Sequence, residues 1–355
     1  MNHFPERLKN ARKMRGFSLQ ELSDVMNQAI SKQDLNRLET GIKKPDSEIV
    51  SQLCSALKVT VDYFFRNPSV SLEQVEFRKL KKLPVREKEK VKSQTVEYLE
   101  RYLELENLLG IDNELPFTPR AFKIKPGKEI EGISSAATTM REDILKIGSD
   151  PIFNIYELLE EKNIKVFRTE VDPSFSGMST TIENKIGVIV YNDNNELPIV
   201  RKRFTLLHEL GHLFLDLTEF DEKHSEKLCD AFAGAMLLPE DKLMEYFGGR
   251  RETVYVKELR LIKSYFGISL LAIMYRAKAL NLISEHYLKY FCIKYNQFFK
   301  KEEGEGYDGI EKSNRFIQLL IRAVAQEVIS TTKAAALNNQ ILGDFREQYL
   351  DADKK

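Results

Sequence analysis

The sequence predicts a multi-domain protein with an all-α N-terminal module, a central α+β domain and a helical C-terminal region. The chain has 355 residues, which is more than one ordinary domain holds. Up to about Phe65, apolar residues recur at helical spacing between capping residues. Further on, runs rich in β-branched residues precede a helical segment, and helical spacing continues towards the C-terminus. We place a helical module at 1–68, a charged helical linker at 69–130, the α+β domain at 131–250 and the helical C-terminal region at 251–355.

The composition limits the classes of function. The formal net charge is zero, so any surface for nucleic acid has to be local rather than a property of the whole molecule. Cys54, Cys229 and Cys292 lie far apart, which argues against a disulfide framework and against a cysteine zinc site. No apolar segment follows the charged N-terminus, and none approaches a membrane-spanning length. We therefore expect a soluble cytoplasmic protein with no membrane partner.

Capping residues divide the N-terminal module into short helices. Ser18 begins one helix, with Glu21 in the capping-box position three residues later. Ser31 begins the next, which ends near Gly41, and Asp46 begins another. Such a series of short capped helices predicts a compact helical module.

The segment from Ser18 to Pro45, with SLQELS followed by ISKQDLNRLETGIKKP, resembles the helix-turn-helix of the Cro/CI-type (XRE) repressors. The resemblance implies operator DNA as a partner and makes the helix after Ser31 the recognition helix. The turn at Asn27–Ile30 is longer than the usual form, which affects the pose of that helix. Because charges nearly balance in the module, a helical interaction domain without DNA binding is the alternative. The implied base contacts are Lys32, Gln33, Asp34 and Arg37, and the implied phosphate contacts are Lys43 and Lys44.

The linker contains a charged helix, predicted from Lys88 to Leu108, with apolar residues at helical spacing. It can serve as a stalk, as the dimerisation helix of a homodimer, or as a cover for the next domain. Prolines and glycines then mark an irregular connector, and the domain boundary falls between Gly110 and Ser134.

The α+β domain is predicted from helices followed by strands. We expect helices at Ala136–Ile147 and from Asp150 to Lys162. Three strands then follow, with the last one especially rich in β-branched residues. These strands are Ile164–Thr169, Ser174–Thr181 and Ile186–Asn192.

An apolar helix after the strands contains two imidazoles and a carboxylate. His208 and His212 are four residues apart, so on a helix they lie one turn apart on one face. Both can reach one Zn²⁺, and the neighbouring Glu209 can act as the base for water at the metal. Burying such groups costs free energy unless a partner compensates, and a metal ion satisfies all three. Gly211 permits a close approach to the metal or to a neighbouring strand.

Zinc needs a third protein ligand. The metzincin pattern is excluded, because Leu215 and Thr218 occupy the positions of its glycine and third histidine. Glu226, on the following helix, is the best third ligand, and His224 is the competing one. Asp230 follows Glu226 by one turn and can accept the outer N–H of a ligating imidazole, or merely cap the helix or pair with a lysine.

The run HELGHLFLD, followed by E-x-x-x-D-x-F-A-x-x-x-L-L-P ending at Pro239, resembles the ImmA/IrrE family of bacterial and phage metallo-endopeptidases. The resemblance spans Ala136 to Gly248, and its Glu-then-Asp arrangement resembles the gluzincin-like (zincin) metallopeptidases. It implies that His208, His212 and Glu226 hold Zn²⁺ while Glu209 activates water. It also implies a protein substrate, a helix-turn-helix repressor or the product of an adjacent gene.

We therefore expect a regulatory zinc metallo-endopeptidase that controls gene expression in stress, mobile-element or toxin–antitoxin-like regulation. A peptide substrate can lie along an exposed strand such as Ile186–Asn192, which leaves open a role for Tyr191 near the oxyanion. The alternative is a DNA-binding regulator or antitoxin whose metal domain is a scaffold or sensor. A structural or degenerate metal site is a further alternative.

The C-terminal region is predicted to be helical and to contain no catalytic group. Val256–Ser264 and Leu270–Asn281 superficially resemble a second helix-turn-helix. The second of these is so apolar that we expect it to pack against the metal domain. Phe316–Leu337 is predicted as one long helix, and this region can dock a substrate or a toxin.

Overall fold

The computed structural model describes residues 3–66, 83–299 and 306–351. The chain forms two compact units, one made of Met1–Asn113 with Asn314–Lys355 and the other of Glu114–Ser313. This grouping divides the predicted C-terminal region 251–355 between the two units. The predicted limit at residue 68 lies outside the described residues.

Most of the described chain is helical. The helices are α1 Phe4–Met14, α2 Leu19–Val25, α3 Lys32–Glu39, α4 Ser47–Leu57, α5 Val61–Phe65, α6 Val85–Leu108, α7 Glu129–Thr139, α8 Ile155–Glu161, α9 Ile199–Phe214, α10 Glu222–Leu237, α11 Glu240–Phe247, α12 Val256–Phe266, α13 Leu270–Ala279, α14 Glu285–Lys294, α15 Arg315–Ala325, α16 Thr331–Leu337 and α17 Leu342–Tyr349. The strands are β1 Phe122–Lys123, β2 Ile164–Thr169, β3 Gly177–Ile182, β4 Ile186–Asn192 and β5 Leu215–Asp216. This layout confirms a helical N-terminal region, a central α+β domain and a helical C-terminal region.

The N-terminal helices begin at the predicted caps. The Ser18 hydroxyl accepts from the Glu21 backbone N–H at 3.1 Å, and the Glu21 carboxylate accepts from the Ser18 N–H at 2.7 Å. Ser31 and Asp46 cap α3 and α4 with side-chain oxygens that accept from the backbone N–H groups of Asp34 and Ile49. The long turn between α2 and α3 places Asn27 and Gln28 in the left-handed region, at φ of 51° and 59°. The left-handed backbone of these two residues accommodates the extra length of the turn.

Helix α6 organises the first unit. On one side it forms ion pairs with α1, with Arg7 Nη1 2.5 Å from Glu100 Oε2 and Lys13 Nζ 2.5 Å from Glu89 Oε2. On the other side Tyr102 packs on Phe316 of α15 at a ring separation of 5.3 Å. The helix is therefore a packed element with partners on both sides. The apolar positions predicted to form its buried face are buried: Val91, Val96, Leu99, Tyr102 and Leu103.

The prediction of one long helix over Phe316–Leu337 is wrong. The chain breaks between α15 and α16, where Glu327 adopts a left-handed backbone at φ 56°. The Ser330 hydroxyl accepts from the Lys333 N–H at 3.2 Å and so begins α16. A serine cap thus outweighs the apolar periodicity that runs across the break.

The second unit contains a three-stranded sheet in the order β2-β4-β3. β4 is parallel to β2 and antiparallel to β3. The predictions of β2 and β4 are confirmed at both ends, whereas the predicted strand Ser174–Thr181 is shifted to Gly177–Ile182. Since β4 pairs on both sides, the prediction of Ile186–Asn192 as an exposed strand for a peptide is wrong. Within the described residues β3 has one strand neighbour and is an edge strand of the sheet.

The start of α8 was predicted too early. The predicted helix from Asp150 begins instead at Ile155, where Asn154 Oδ1 accepts from the Glu157 N–H at 3.3 Å. The carbonyl of Ile152 accepts from the Arg203 guanidinium at 2.5 Å. The Phe153 carbonyl accepts from the same guanidinium at 3.3 Å, so a residue far along the chain uses both groups, which local periodicity does not reveal. The preceding helix also differs, since α7 begins at Glu129 and continues as a π-helical turn.

Helices α12 and α13 share one hydrophobic core with α9 and α10. Leu270, Ile273 and Met274 are buried in that core, which confirms the predicted packing of this segment against the metal domain. The Arg203–Glu311 ion pair is also buried, with both side chains almost inaccessible. None of the described helices combines the length and the apolar character that a membrane span requires.

Candidate functional site

The histidine helix α9 lies between the sheet and α10. Its apolar residues, such as Leu206 and Leu210, are fully buried. A Cβ added at Gly211 would lie 3.1 Å from Phe232 Cδ1 and 3.4 Å from Cys229 Sγ, both on α10. The glycine therefore permits close approach of α10, whereas the sequence had suggested the metal or a strand. This close packing brings the start of α10 beside the histidines.

Donor atoms of three side chains converge where α9 meets α10. His208 Nε2 lies 3.1 Å from His212 Nε2 and 3.2 Å from Glu226 Oε2, and His212 Nε2 lies 3.3 Å from Glu226 Oε1. A tetrahedral zinc ion with bonds of about 2.0–2.1 Å separates its ligand atoms by about 3.3–3.4 Å. The spacings are close to those of zinc ligands, with the two imidazoles facing different oxygens of Glu226, so the three side chains suit a zinc ion.

The chemistry of the donors also favours a cation. His208 Nδ1 lies 2.8 Å from Asp230 Oδ1, so the carboxylate accepts a hydrogen bond from Nδ1–H and fixes this tautomer of the imidazole. The lone pair of His208 Nε2 then points to His212 and Glu226, which are themselves electron-rich. A divalent cation held between the three groups would compensate this repulsion. Asp230 is thus placed for the orienting role that the sequence left open.

Glu209 follows His208 on α9 and is buried, with 2% of its surface exposed. Its Oε2 accepts a hydrogen bond from the Ser179 hydroxyl of β3 at 2.8 Å. A Cβ at Gly177 would lie 2.7 Å from Thr205 Cγ2 and 3.3 Å from Glu209 Cγ. The edge strand therefore packs directly on the carboxylate. Sequence reasoning missed Gly177 and Ser179, although a glycine within a strand pattern is a signal of close approach.

The other histidines lie apart from the donor cluster. The His224 ring packs on Phe220 in a tilted arrangement with ring centroids 4.8 Å apart, and its backbone N–H donates to the Asp221 cap at 2.8 Å. His286 is exposed on α14, and His3 precedes α1. Among the described residues, the histidine and acidic side chains grouped closely enough to hold a metal are His208, His212 and Glu226, with donor atoms within 4.8 Å. This arrangement favours Glu226 over His224 as the third ligand.

Tyr191 lies in the core of the second unit. It has no exposed surface, and its ring meets Tyr156 edge-on at 6.0 Å. Burial raises the pKa of the Tyr191 phenol above its usual value. A side chain so enclosed cannot reach a bound peptide without a rearrangement of the core, so its proposed place near an oxyanion has no support.

Five of the six predicted DNA contacts are exposed in the N-terminal module, and Asp34 is half-buried. Lys32 and Gln33 are exposed at the start of α3. Asp34 is half-buried, with Oδ1 3.3 Å from Arg37 Nη1 and Oδ2 3.4 Å from Lys43 Nζ. We call Asp34, Arg37 and Lys43 the Asp34 cluster. The structure thus brings three of the six predicted contacts into one ion-pair group, while the side chains of Lys32, Gln33 and Lys44 are exposed.

Comparison with known families identifies two domains. Residues 159–278 match the Peptidase_M78 model, described as the IrrE N-terminal-like domain, and residues 8–64 match the HTH_3 model, described as helix-turn-helix. No curated protein matches the chain. Both resemblances seen in the sequence are confirmed. The first match contains the donor cluster and extends beyond the predicted limit at residue 250 into α13.

Proposed function

We propose that this chain, which joins an XRE-type helix-turn-helix domain to an IrrE N-terminal-like peptidase domain, is a regulatory zinc metallo-endopeptidase. One observation carries the proposal. The donors of His208, His212 and Glu226 lie within zinc-ligand spacing of one another, and the buried carboxylate of Glu209 follows His208 on the same helix. A site that served only as a scaffold would not need that fourth group.

The metal would be held by the two imidazoles and by the Glu226 carboxylate. When bound, zinc polarises a peptide carbonyl and lowers the pKa of water towards neutrality. Asp230 keeps the proton on His208 Nδ1, so that Nε2 stays a lone-pair donor. This donor set resembles that of the gluzincins.

Glu209 acts as the general base and acid. It takes the proton from the attacking water and passes it to the nitrogen of the leaving amine. The hydrogen bond from Ser179 holds Oε2, so the orientation of the other carboxylate oxygen is set by β3. Ser179 is therefore a positioning residue for the base.

β3 is the strand on which we place the peptide substrate. It is an edge strand within the described residues, and it passes Glu209 at Ser179. An extended peptide that pairs with such an edge gains backbone hydrogen bonds along its length. β3 would then position both the base Glu209 and the scissile bond of the peptide.

The N-terminal domain links the peptidase to the control of gene expression. Exposed Lys32, Gln33 and Lys44 support binding to operator DNA. We propose that the substrate is a protein partner, a helix-turn-helix repressor or the product of an adjacent gene. Cleavage of that partner would change expression of the operon.

The test mixes the full-length zinc-loaded protein with the product of an adjacent gene and follows its fragments by mass spectrometry. Wild type and the matched control Glu222→Gln, an exposed carboxylate on α10, are expected to cleave. Glu209→Gln is expected to keep its zinc and lose cleavage. Cleavage by Glu209→Gln at the wild-type rate would overturn the assignment of the base. Operator binding without cleavage by any form would favour a DNA-binding regulator whose metal domain is a scaffold or sensor.

A further inference from the structure

Asp34 has an unusual place for an acidic side chain. It occupies the third position of α3, where its backbone N–H donates to the Ser31 hydroxyl at 3.1 Å. Its two carboxylate oxygens are divided between two cations, Oδ1 facing Arg37 and Oδ2 facing Lys43. Both cations are predicted DNA contacts. The carboxylate therefore occupies the groups that would otherwise meet the nucleic acid.

The two cations remain accessible while they are paired. The side chains of Arg37 and Lys43 are 61% and 49% exposed, and that of Asp34 is 30% exposed. Exposed ion pairs are weak, so a phosphate or a base acceptor can replace the carboxylate. Replacement of the Asp34 carboxylate by acceptors on DNA is only weakly favourable unless those acceptors are well placed, because one anion merely replaces another.

We propose that Asp34 is a specificity-determining residue that competes with DNA for Arg37 and Lys43. Random DNA, whose acceptors fit the surface poorly, does not outweigh the carboxylate. An operator with a base acceptor and a phosphate in the right places displaces the carboxylate from the two cations. This inference depends on the proposed DNA binding of the N-terminal domain and adds a mechanism of discrimination to it.

The size of the effect follows from counterion release. Each phosphate contact steepens the dependence of log affinity on log salt by about 0.9. Removal of the carboxylate frees up to two cations for random DNA, so the slope should steepen by about 1 to 2. We expect affinity for random DNA at low salt to rise about three- to tenfold.

The experiment measures binding of the full-length protein to a short random-sequence duplex over a range of salt concentrations, by fluorescence anisotropy. The variant Asp34→Asn removes the charge and leaves the backbone cap to Ser31 intact. The control Asp24→Asn changes the net charge equally at an exposed residue of α2, whose side chain accepts from Gln20 at 3.0 Å. Circular dichroism checks that both variants are folded.

Asp34→Asn should bind random DNA more tightly and with a steeper salt slope than wild type and Asp24→Asn. Adding Arg37→Ala and Lys43→Ala to Asp34→Asn should remove the gain. If wild type binds but Asp34→Asn binds no better than Asp24→Asn, the competition is refuted while DNA binding stands. Weaker binding by Asp34→Asn would likewise refute it and indicate direct contact with DNA. If no form binds any duplex at low salt, both the inference and the proposed DNA binding fail.

Discussion

Replacement of Gly177 by alanine tests the packing of β3 on the base helix. The new Cβ would lie 2.7 Å from Thr205 Cγ2 and 3.0 Å from the Val190 carbonyl oxygen. The carbonyl belongs to the backbone of β4 and cannot turn aside, and Thr205 lies on α9, so β3 has to shift relative to both neighbours. Overpacking of this kind costs about 1–3 kcal/mol.

The movement should also disturb the base. Ser179 lies two residues along the same strand, and its 2.8 Å hydrogen bond to Glu209 has little room to lengthen before it breaks. We expect Gly177→Ala to lower kcat for cleavage about tenfold or more, because a misplaced catalytic group slows the reaction strongly. Zinc content should stay unchanged, since Gly177 is not among the donors.

Gly234→Ala is the matched control for this substitution. Gly234 is a buried glycine in α10, and a Cβ there meets no atom within 4 Å. Alanine in a helix interior is favoured over glycine by about 0.5–1 kcal/mol. Urea unfolding of the two variants should therefore shift in opposite directions. Equal stability of Gly177→Ala and wild type, with unchanged cleavage, would refute the argument that β3 is in tight contact with Glu209.

Three further predictions concern the metal, the base and the first unit. Asp230→Asn should weaken zinc binding about 10- to 100-fold in competition with a chelator, because the carboxylate no longer orients His208; unchanged affinity would contradict that role. Ser179→Ala should lower kcat with little change in KM or zinc content, whereas Ser179→Thr, which keeps the hydroxyl, should restore most of the rate. The pKa of Glu89 is held below its usual value, first by the hydrogen bond from Lys13. The pair between α1 and α6 therefore stabilises the first unit at pH values above the usual pKa of a glutamate. This stabilisation should be lost as the pH falls through the lowered pKa, and Glu89→Gln should unfold in acid with a smaller dependence on pH; an unchanged acid unfolding profile would contradict it.

Local signals in the sequence predicted much of the fold. Ser18, Ser31 and Asp46 begin helices because a side-chain oxygen within three residues satisfies a free N–H, and that pattern is visible in the sequence. The strands at 164–169 and 186–192 were found from their β-branched residues. Features of this kind depend on neighbours along the chain.

The errors arose where distant residues decide the structure. Arg203 uses the carbonyl of Ile152 and so displaces the start of α8, although the two residues lie far apart in the sequence. The order β2-β4-β3 places β4 in the centre, and no pattern within β4 reveals which strands pair with it. Only the break before α16 had a local signal, the serine at 330.

The candidate site shows the same division. His208, Glu209 and His212 could be read from a four-residue spacing on one helix. Glu226 and Asp230 were found from the spacing on the next helix, and the structure brings them to the histidines. Ser179 could not be found, because its contact with Glu209 depends on how the strand packs on α9. A helix–strand contact of this kind has no fixed sequence spacing.

X-ray absorption spectroscopy of the zinc-loaded full-length protein tests the central claim most directly. The account predicts one zinc per chain with imidazole scattering from His208 and His212 and with nitrogen or oxygen ligands at about 2.0–2.2 Å. The histidine signal should disappear in His208→Ala together with the bound metal. A sulfur shell at about 2.3 Å would contradict the account, because it would place Cys229 rather than Glu226 on the metal. Full retention of zinc by His208→Ala would contradict it equally.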